Sequence, residues 1–340
     1  MNTLRLLIRA DAGVNIGMGH VMRCMALAEE AAKQGHDVFF AGSGIPAIAT
    51  ERMEKHRIAH IMMPRAGGSD ADALATLNVA TRINPDWIIV DNYGLGASWE
   101  AAVGSGKWKV MAIDDLPSRK HACDILLDQN LDAPNRAESI VPGKCVQLLG
   151  LNYTLIRKEF MRPSRQDASS SRDAVRVLIT LGGGASQGLL QRIIATVLMG
   201  PLDDQHQDSI SNSKHTLHLC RGTADMPAHL GKADVIVSAG GSTCWEASIM
   251  GKPLILLCLA ENQRNIVRSL VSKKCALEVE SPFDDSMEMR LTSLLTLLAT
   301  DVSLRSTMSQ HISRLVDGKG AMRVLEILSR EANHENCLPC

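Results

Sequence analysis

The stretch Gly17-Met18-Gly19-His20-Val21-Met22-Arg23 decides the fold, because it joins an apolar run to a helical pattern. Residues 4–10 predict a strand, a polar loop extends to residue 16, and residues 21–34 have the periodicity of an amphipathic helix. Glycines at such a turn let the backbone approach a ligand and direct free N–H groups at an anion. The stretch therefore predicts an α/β unit with a ligand at the start of the helix.

Two interpretations of His20 stay open on this pattern alone. A histidine at a helix entrance titrates near neutral pH, which makes it a candidate general base beside a bound sugar or phosphate. A histidine in this place is also a common solvated cap or packing residue. Gly17-x-Gly19 lacks the third glycine of a dinucleotide fingerprint, and no Walker A sequence follows, so we predict no cofactor.

Short apolar runs alternate with helical patterns along almost the whole chain. Runs that are continuous instead of alternating are typical of parallel strands buried on both faces. We predict two similar α/β domains in tandem, with a ligand site in the cleft between them. The predicted strands are residues 4–10, 36–41, 59–63, 87–91, 109–114, 125–129, 174–181, 217–220, 235–239, 254–259 and 276–279.

A polar segment, residues 161–173, is the best candidate for a linker between the two domains. The predicted N-terminal domain is residues 1–160 and the predicted C-terminal domain is residues 174–318. We expect the helix at residues 319–332 to return to the first domain, and residues 333–340 to form a tail. The polar stretch 203–214 predicts a surface loop.

The composition of the 340-residue chain excludes several classes of function. A net charge of -1 and 3% aromatic residues give no surface for nucleic acid. No apolar run is long enough to span a bilayer, so we expect a cytoplasmic protein without stable membrane association. Nine scattered cysteines indicate reduced thiols, and Cys337-x-x-Cys340 lacks the second pair that zinc requires. We therefore predict no metal.

Two glycine-rich turns in the second domain predict a diphosphate site. Gly183 and Gly184 follow one strand, and Gly241, Ser242 and Thr243 follow another. Each turn opens a helix and would aim backbone N–H groups at an anion.

Three further polar residues of the second domain are candidates for the binding site, and two of them also have a structural interpretation. Glu246 stands three residues after Thr243, which is the spacing of a capping box, but its carboxylate also suits a ribose diol. Asn262 is a candidate N-cap, while Gln263 has no evident structural role. Amides at a strand end suit the hydroxyl and acetamido groups of a sugar.

The first domain carries polar residues at the ends of two predicted strands. Asp91-Asn92-Tyr93-Gly94 ends one strand, and Asp114-Asp115 ends the next. The adjacent acids are candidates for a metal site or an acid–base pair, and a turn with solvated carboxylates explains them equally well.

These segments together resemble a known family. The segments that carry the resemblance are Arg9-Ala10-Asp11, 16–23, 90–93, 113–116, 127–130, 153–160, 238–246 and 261–263. In this order they are similar to the UDP-2,4-diacetamido-2,4,6-trideoxy-β-L-altropyranose hydrolases of pseudaminic acid biosynthesis, and they cover nearly the whole chain.

The resemblance implies a GT-B architecture in which two Rossmann-like domains face each other and the C-terminal domain holds UDP. It implies inverting hydrolysis at the anomeric carbon, with His20 deprotonating water and Tyr93 positioning the sugar. UDP is a good leaving group, so no strong general acid is needed. The remaining residues assigned to the UDP-linked diacetamido sugar are Asp11, Gly17, Gly19, Arg23, Asn92, Gly183, Gly184, Gly241, Ser242, Thr243, Glu246, Asn262 and Gln263.

The chain departs from the family at Gly182-Gly183-Gly184-Ala185, where the family often carries an aspartate after two glycines. Two other functions stay open: a glycosyltransferase of the same fold, in which His20 activates an acceptor hydroxyl, and a sugar-nucleotide sensor without catalysis. The sequence shows no basic and apolar patch for a lipid-linked acceptor, which favours the hydrolase. We expect a monomer.

Overall fold

The structure is a computed structural model, and it describes residues 3–13, 16–64, 68–116, 119–133, 141–161, 175–181, 188–189, 192–193 and 225–334. The chain divides into two compact units. Unit 1 comprises Met1–Lys158 and Asp317–Cys340, and unit 2 comprises Glu159–Val316. Each unit contains a parallel sheet with helices, so the predicted α/β fold class is confirmed.

Unit 1 is built on a seven-stranded parallel sheet with the order β3-β2-β1-β4-β5-β6-β7. The chain order reverses between β1 and β4, and in open α/β sheets ligands bind outside the carboxyl ends of strands at such a switch point. The strands are β1 (Arg5–Ala10), β2 (Asp37–Gly42), β3 (Ala59–Met62), β4 (Trp87–Asp91), β5 (Lys109–Ile113), β6 (Ile125–Asp128) and β7 (Val146–Leu149).

Both faces of this sheet are buried, as the continuous apolar runs predict. Leu6 and Ile8 of β1 pack into one core, while Leu7 between them packs into the core on the other face with Trp99. The helices of the N-terminal segment of unit 1 are α1 (Gly19–Lys33), α2 (Ala47–Lys55), α3 (Ser69–Ile83) and α4 (Ala97–Val103).

The last described helix of the chain, Gly320–His334, also packs in unit 1. Its Val324 and Leu328 share the core that buries α1. The helix begins so close to the preceding structure that a Cβ on Gly320 would lie 2.2 Å from the carbonyl oxygen of Thr154. Only glycine fits there, and this helix completes one face of the unit 1 core.

Unit 2 contains a four-stranded parallel sheet with the order β11-β10-β9-β8. Its strands are β8 (Val177–Thr180), β9 (Val235–Ala239), β10 (Leu254–Leu257) and β11 (Ala276–Val279). Its helices among the described residues are α5 (Met226–Lys232), α6 (Thr243–Ile249), α7 (Arg264–Ser272), α8 (Met287–Thr300) and α9 (Val302–Ile312), so the helix Gly320–His334 is α10.

Two elements of the structure were not predicted from the sequence, and several predicted elements lie outside the described residues. Strand β7 and helix α5 were not predicted, because Gln147 interrupts the first run and Pro227 and Gly231 weaken the helical pattern of the second. The linker from residue 162, the loop 203–214 and the strand 217–220 lie outside the described residues. Within the described ranges, every helix is too short or too polar to cross a bilayer.

Candidate functional site

The loop after β1 places His20 in the first turn of α1. Gly17 has φ +74°, a left-handed conformation that favours glycine, and it forms an isolated bridge with Gly13. A Cβ added to Gly17 would meet no atom within 4 Å, so open space lies beside this backbone. The histidine itself is 8% exposed, which contradicts the interpretation of His20 as a solvated cap.

Asp91 joins His20 to Arg23 in a buried ion-pair cluster. The Asp91 carboxylate lies 2.5 Å from His20 Nδ1 through Oδ1. It also accepts hydrogen bonds from Arg23 Nε at 2.5 Å and from Arg23 Nη2 at 2.7 Å. Asp91 is the last residue of β4 and pairs in register with Ala10 of β1, so the cluster lies at the switch point of the sheet.

The electrostatics of this cluster keep the Asp91 carboxylate ionised. Burial alone would raise the pKa of Asp91, but the charges and hydrogen bonds of Arg23 and His20 outweigh burial and hold this pKa well below its usual range. Burial lowers the pKa of Arg23, and the carboxylates of Asp91 and Asp115 more than compensate. An ionised carboxylate only accepts hydrogen bonds, so His20 Nδ1 is the donor. In the neutral imidazole this arrangement places the lone pair on Nε2, the nitrogen that a general base needs.

Tyr93 and Asp115 extend the cluster on the side of the histidine ring. The Tyr93 hydroxyl donates to Asp115 Oδ1 at 2.5 Å, and Arg23 Nη1 donates to Asp115 Oδ2 at 3.1 Å. The rings of His20 and Tyr93 meet edge to face, with centroids 4.6 Å apart. Tyr93 thus fixes the ring of His20 and places a phenol beside it.

The acids Asp114 and Asp115 do not form the solvated turn that was one interpretation of the sequence. Asp115 contacts Arg23 and Tyr93 as described, whereas Asp114 is 2% exposed and lies 2.9 Å from Arg119 Nη1. The two neighbouring carboxylates therefore belong to two different clusters, and they do not act as an acid–base pair with each other.

Asp11 belongs to a second buried cluster that supports the loop after β1. Arg9 donates to both oxygens of Asp11, at 2.5 and 2.8 Å, and also to Asp72. Ser43 N donates to Asp11 Oδ1 at 2.7 Å, and Asn92 Nδ2 donates to Asp11 Oδ2 at 2.8 Å. Both oxygens of Asp11 are thus engaged within the protein, so its contact with a substrate stays a prediction while its structural role is evident.

In unit 2 the turns after β9 and β10 lie next to each other, because these strands are neighbours. A Cβ on Gly240 would lie 2.7 Å from Val267 Cγ2 and 3.1 Å from Gln263 Cβ, so Gly240 serves the packing of the two turns. A Cβ on Gly241 would meet nothing within 4 Å. Gly241 therefore faces open space, with half-buried Ser242 beside it.

The structural interpretations of the polar residues in unit 2 need correction. Helix α6 begins at Thr243 with Ser242 at the N-cap, so Thr243 and Glu246 do not form a capping box. Asn262 is in a 3-10 turn before α7 and is not its N-cap. Gln263 does have a structural role, since its Oε1 accepts a hydrogen bond from Leu259 N at 2.9 Å.

Two predicted substrate residues, Gly183 and Gly184, lie outside the described residues. Asp91 and Asp115 are functional candidates that sequence reasoning left without a partner. The spacing of His20 and Arg23 was a usable signal, because residues at i and i+3 lie on one helix face and a single carboxylate can bridge them.

Comparison with known proteins supports the fold and the resemblance. Residues 185–313 match the glycosyltransferase family 28 C-terminal domain. The chain is 25% identical to the UDP-2,4-diacetamido-2,4,6-trideoxy-beta-L-altropyranose hydrolase of Campylobacter jejuni, over 81% of this chain and 99% of that protein. It is 22% identical to the spore coat polysaccharide biosynthesis protein SpsG of Bacillus subtilis, over 94% of this chain and 96% of that protein.

The resemblance to the hydrolase family is confirmed. A third relative, protein MJ1062 of Methanocaldococcus jannaschii, is 23% identical over 79% of this chain, and the chain spans only 59% of its length.

Solved structures agree on the fold. MurG of Acinetobacter baumannii superposes with a TM-score of 0.65 at 15% identity, covering 96% of this chain and 99% of that chain. MnaA of S. aureus, solved with UDP, gives a TM-score of 0.65 at 11% identity, covering 97% of both chains. The chain has the GT-B fold.

Proposed function

We propose that this GT-B protein is an inverting hydrolase of a UDP-linked 2,4-diacetamido-2,4,6-trideoxy sugar. The observation that carries the proposal is the bond between His20 Nδ1 and the ionised Asp91 carboxylate, which leaves Nε2 as a base. The relative from Campylobacter jejuni that bears the hydrolase name supports the substrate class. The GT-B fold supports a nucleotide-sugar substrate, since MnaA was solved with UDP.

In the proposed reaction, His20 Nε2 takes a proton from a water molecule as the water oxygen attacks the anomeric carbon. The bond between that carbon and the phosphate oxygen breaks, and its electron pair leaves with UDP. Attack opposite the leaving group inverts the anomeric configuration. Asp91 is a positioning residue, because it acts on the substrate only through His20, and its charge stabilises the imidazolium that forms.

UDP is a stable leaving group, so the proposal needs no strong acid at the glycosidic oxygen. We assign the pyrophosphate to the turn of Gly241 and Ser242 at the start of α6 and to the predicted turn with Gly183 and Gly184. The Gly241 N–H donates to Ala239 O at 2.9 Å, so Ser242 N–H is the donor that we assign to the anion. Helix α6 is short, so the open space beside Gly241 matters more here than the helix dipole.

We also propose that Glu246 contacts the ribose, and that Asn262 and Gln263 contact the nucleotide sugar. We assign Tyr93 to the sugar, as a phenol beside the His20 ring.

The cellular location stays a proposal as well. Free thiols, as expected of a cytoplasmic protein, are present at Cys24, Cys123, Cys145, Cys244, Cys258 and Cys275.

The direct test replaces His20 with alanine and follows UDP release from the UDP-linked diacetamido altrose. We expect the variant to lose turnover by at least about 10³-fold, because a general base and its imidazolium are both lost, while its affinity for UDP changes less than about threefold. Turnover close to that of the native protein would remove His20 from the mechanism.

Loss of UDP affinity in the same variant would contradict the division of roles between the two units. A glycosyltransferase would give a third result, in which UDP is released at an appreciable rate only after an acceptor alcohol is added.

A further inference from the structure

Three side chains with metal-ligating atoms meet in the interior of unit 1, apart from the His20 cluster. They are Glu100 of α4, and His121 and Cys123 of the segment that leads into β6. One ligand atom from each lies within 4.8 Å of the other two, and all three residues are buried. The ligands are separated by up to 23 positions in the chain, which explains why spacing alone predicted no metal.

The imidazole of His121 lies between two carboxylates, one facing each ring nitrogen. Its Nδ1 lies 2.8 Å from Glu100 Oε1, and its Nε2 lies 3.0 Å from Asp114 Oδ2. Zinc-binding histidines typically present one nitrogen to the metal and donate the other N–H to a carboxylate. Asp114 is itself held by Arg119 Nη1 at 2.9 Å, and Leu116 N donates to its other oxygen at 2.9 Å. Asp114 is therefore a fixed outer partner for Nε2.

Cys145 is the candidate fourth ligand: it stands next to Cys123 but outside the group of three whose ligand atoms all lie within 4.8 Å of one another. The Sγ atoms of Cys123 and Cys145 are 3.9 Å apart. Two thiolates on one tetrahedral zinc, with Zn–S bonds of about 2.3 Å, place their sulfur atoms about 3.8 Å apart. A disulfide needs a separation of about 2.0 Å. Pairing of Ile125 with Val146 brings the two cysteines to adjacent strand entrances, so the thiols are placed by the sheet itself.

We propose that Glu100, His121, Cys123 and Cys145 form a structural zinc site. Glu100 would bind through Oε1, because its Oε2 already accepts a hydrogen bond from Ala122 N at 2.6 Å. Binding releases the two thiol protons and the Nδ1 proton of His121, while Nε2 keeps its proton and faces Asp114 Oδ2 at 3.0 Å. A closed set of four protein ligands leaves no open position for water, so the site supports the fold and takes no part in hydrolysis.

The proposed zinc would secure the segment between β5 and β6. Its described residues, 114–116 and 119–124, include Asp115, which contacts Tyr93 and Arg23 of the His20 cluster. Metal binding is therefore expected to stabilise unit 1 against unfolding, since a ligand that binds the folded state shifts the unfolding equilibrium.

The test measures metal content and coordination on the full chain. The protein is purified, stripped of metal with a chelator and reconstituted with Zn²⁺ or Co²⁺. We expect one tightly held Zn²⁺ per chain after gel filtration, a rise in the unfolding temperature, and a Co²⁺ spectrum with thiolate charge-transfer and intense tetrahedral bands. Cys123→Ser, Cys145→Ser and His121→Gln should each lose at least about 10-fold in metal affinity.

Matched controls separate this site from other thiols. Cys258→Ser in unit 2 and the double variant Cys337→Ser/Cys340→Ser, which removes the C-terminal pair, should keep the metal and the Co²⁺ spectrum. The proposal is overturned if the native chain retains no zinc, if the Co²⁺ spectrum lacks thiolate bands, or if metal follows the C-terminal pair instead of Cys123. In those cases Glu100, His121 and Asp114 form an ion-pair cluster only.

Discussion

Replacement of Asp91 with asparagine is the most informative perturbation of the His20 cluster. The change keeps the shape of the side chain but removes the negative charge that faces His20 and Arg23. Asp91 makes its contacts at 2.5–2.7 Å and is fully buried, so both partners lose their main counter-charge. Breaking a buried ion pair costs about 3–5 kcal/mol, and the remaining contact of Arg23 with Asp115 points to the lower end of that range.

The effect on catalysis should exceed the effect on stability. Both oxygens of Asp91 accept from Arg23, so an asparagine that keeps its single oxygen on Arg23 turns its amide N–H towards His20 Nδ1. That contact selects the wrong histidine tautomer. In the serine protease triad the equivalent change lowers kcat by about 10⁴, and we expect a fall of roughly 10³–10⁴ here with KM changed less than about threefold.

The assay combines steady-state UDP release with ¹⁵N NMR of the histidine rings. In the native protein the His20 signals should identify a proton on Nδ1, and in Asp91→Asn the proton should move to Nε2. The matched control is Asp72→Asn, since Asp72 is equally buried and pairs with a buried arginine, Arg9, but does not contact His20. The control should lose stability and keep kcat within about threefold; an equal fall in both variants would refute the tautomer argument.

Three further predictions concern stability and are measured by urea unfolding. Gly240→Ala should lower the free energy of unfolding by about 1–3 kcal/mol, because its Cβ would lie 2.7 Å from Val267 Cγ2. Gly241→Ala faces open space and should stay within about 0.5 kcal/mol of the native protein. Equal losses in the two variants would contradict the packing argument. Gly17→Ala should cost roughly 1–2 kcal/mol from its φ of +74° alone, and no loss would mean that the loop relaxes. Because the pKa of Asp91 is lower in the folded state than its unfolded value of about 3.9, its carboxylate stabilises the fold above that pH and the contribution disappears as the pH falls. The free energy of unfolding of the native protein should therefore fall more steeply than that of Asp91→Asn below about pH 5; parallel curves would exclude Asp91 as the source.

Much of the fold was predictable because local patterns and tertiary structure agree. The run that forms β4 was predicted with the bounds Trp87–Asp91. Four consecutive apolar residues that end at an aspartate are typical of a strand buried on both faces. Strand β7 was missed because it has four residues and contains Gln147, and its place in the sheet depends on pairing with β6. Short edge strands are decided by their neighbours more than by their own composition.

The sequence offered candidate site residues but not the contacts between them. His20 and Tyr93 came from the turn and the resemblance, yet the residue that links His20 to Arg23 lies 71 positions along the chain at the end of β4. Sequence periodicity carries no information on which strand end faces which helix. The same reason hid the proximity of Cys123 and Cys145, which depends on the register of β6 and β7.

In the proposed reaction, water attacks the anomeric carbon under base catalysis by His20. The most direct measurement hydrolyses the UDP-linked diacetamido altrose in ¹⁸O-labelled water, with NMR and mass spectrometry of both products. We expect one ¹⁸O atom in the released sugar, unlabelled UDP, and an inverted first-formed anomer. Label in the phosphate of UDP would show attack at phosphorus, and a retained anomer would exclude direct attack by water; either result would refute the proposed reaction.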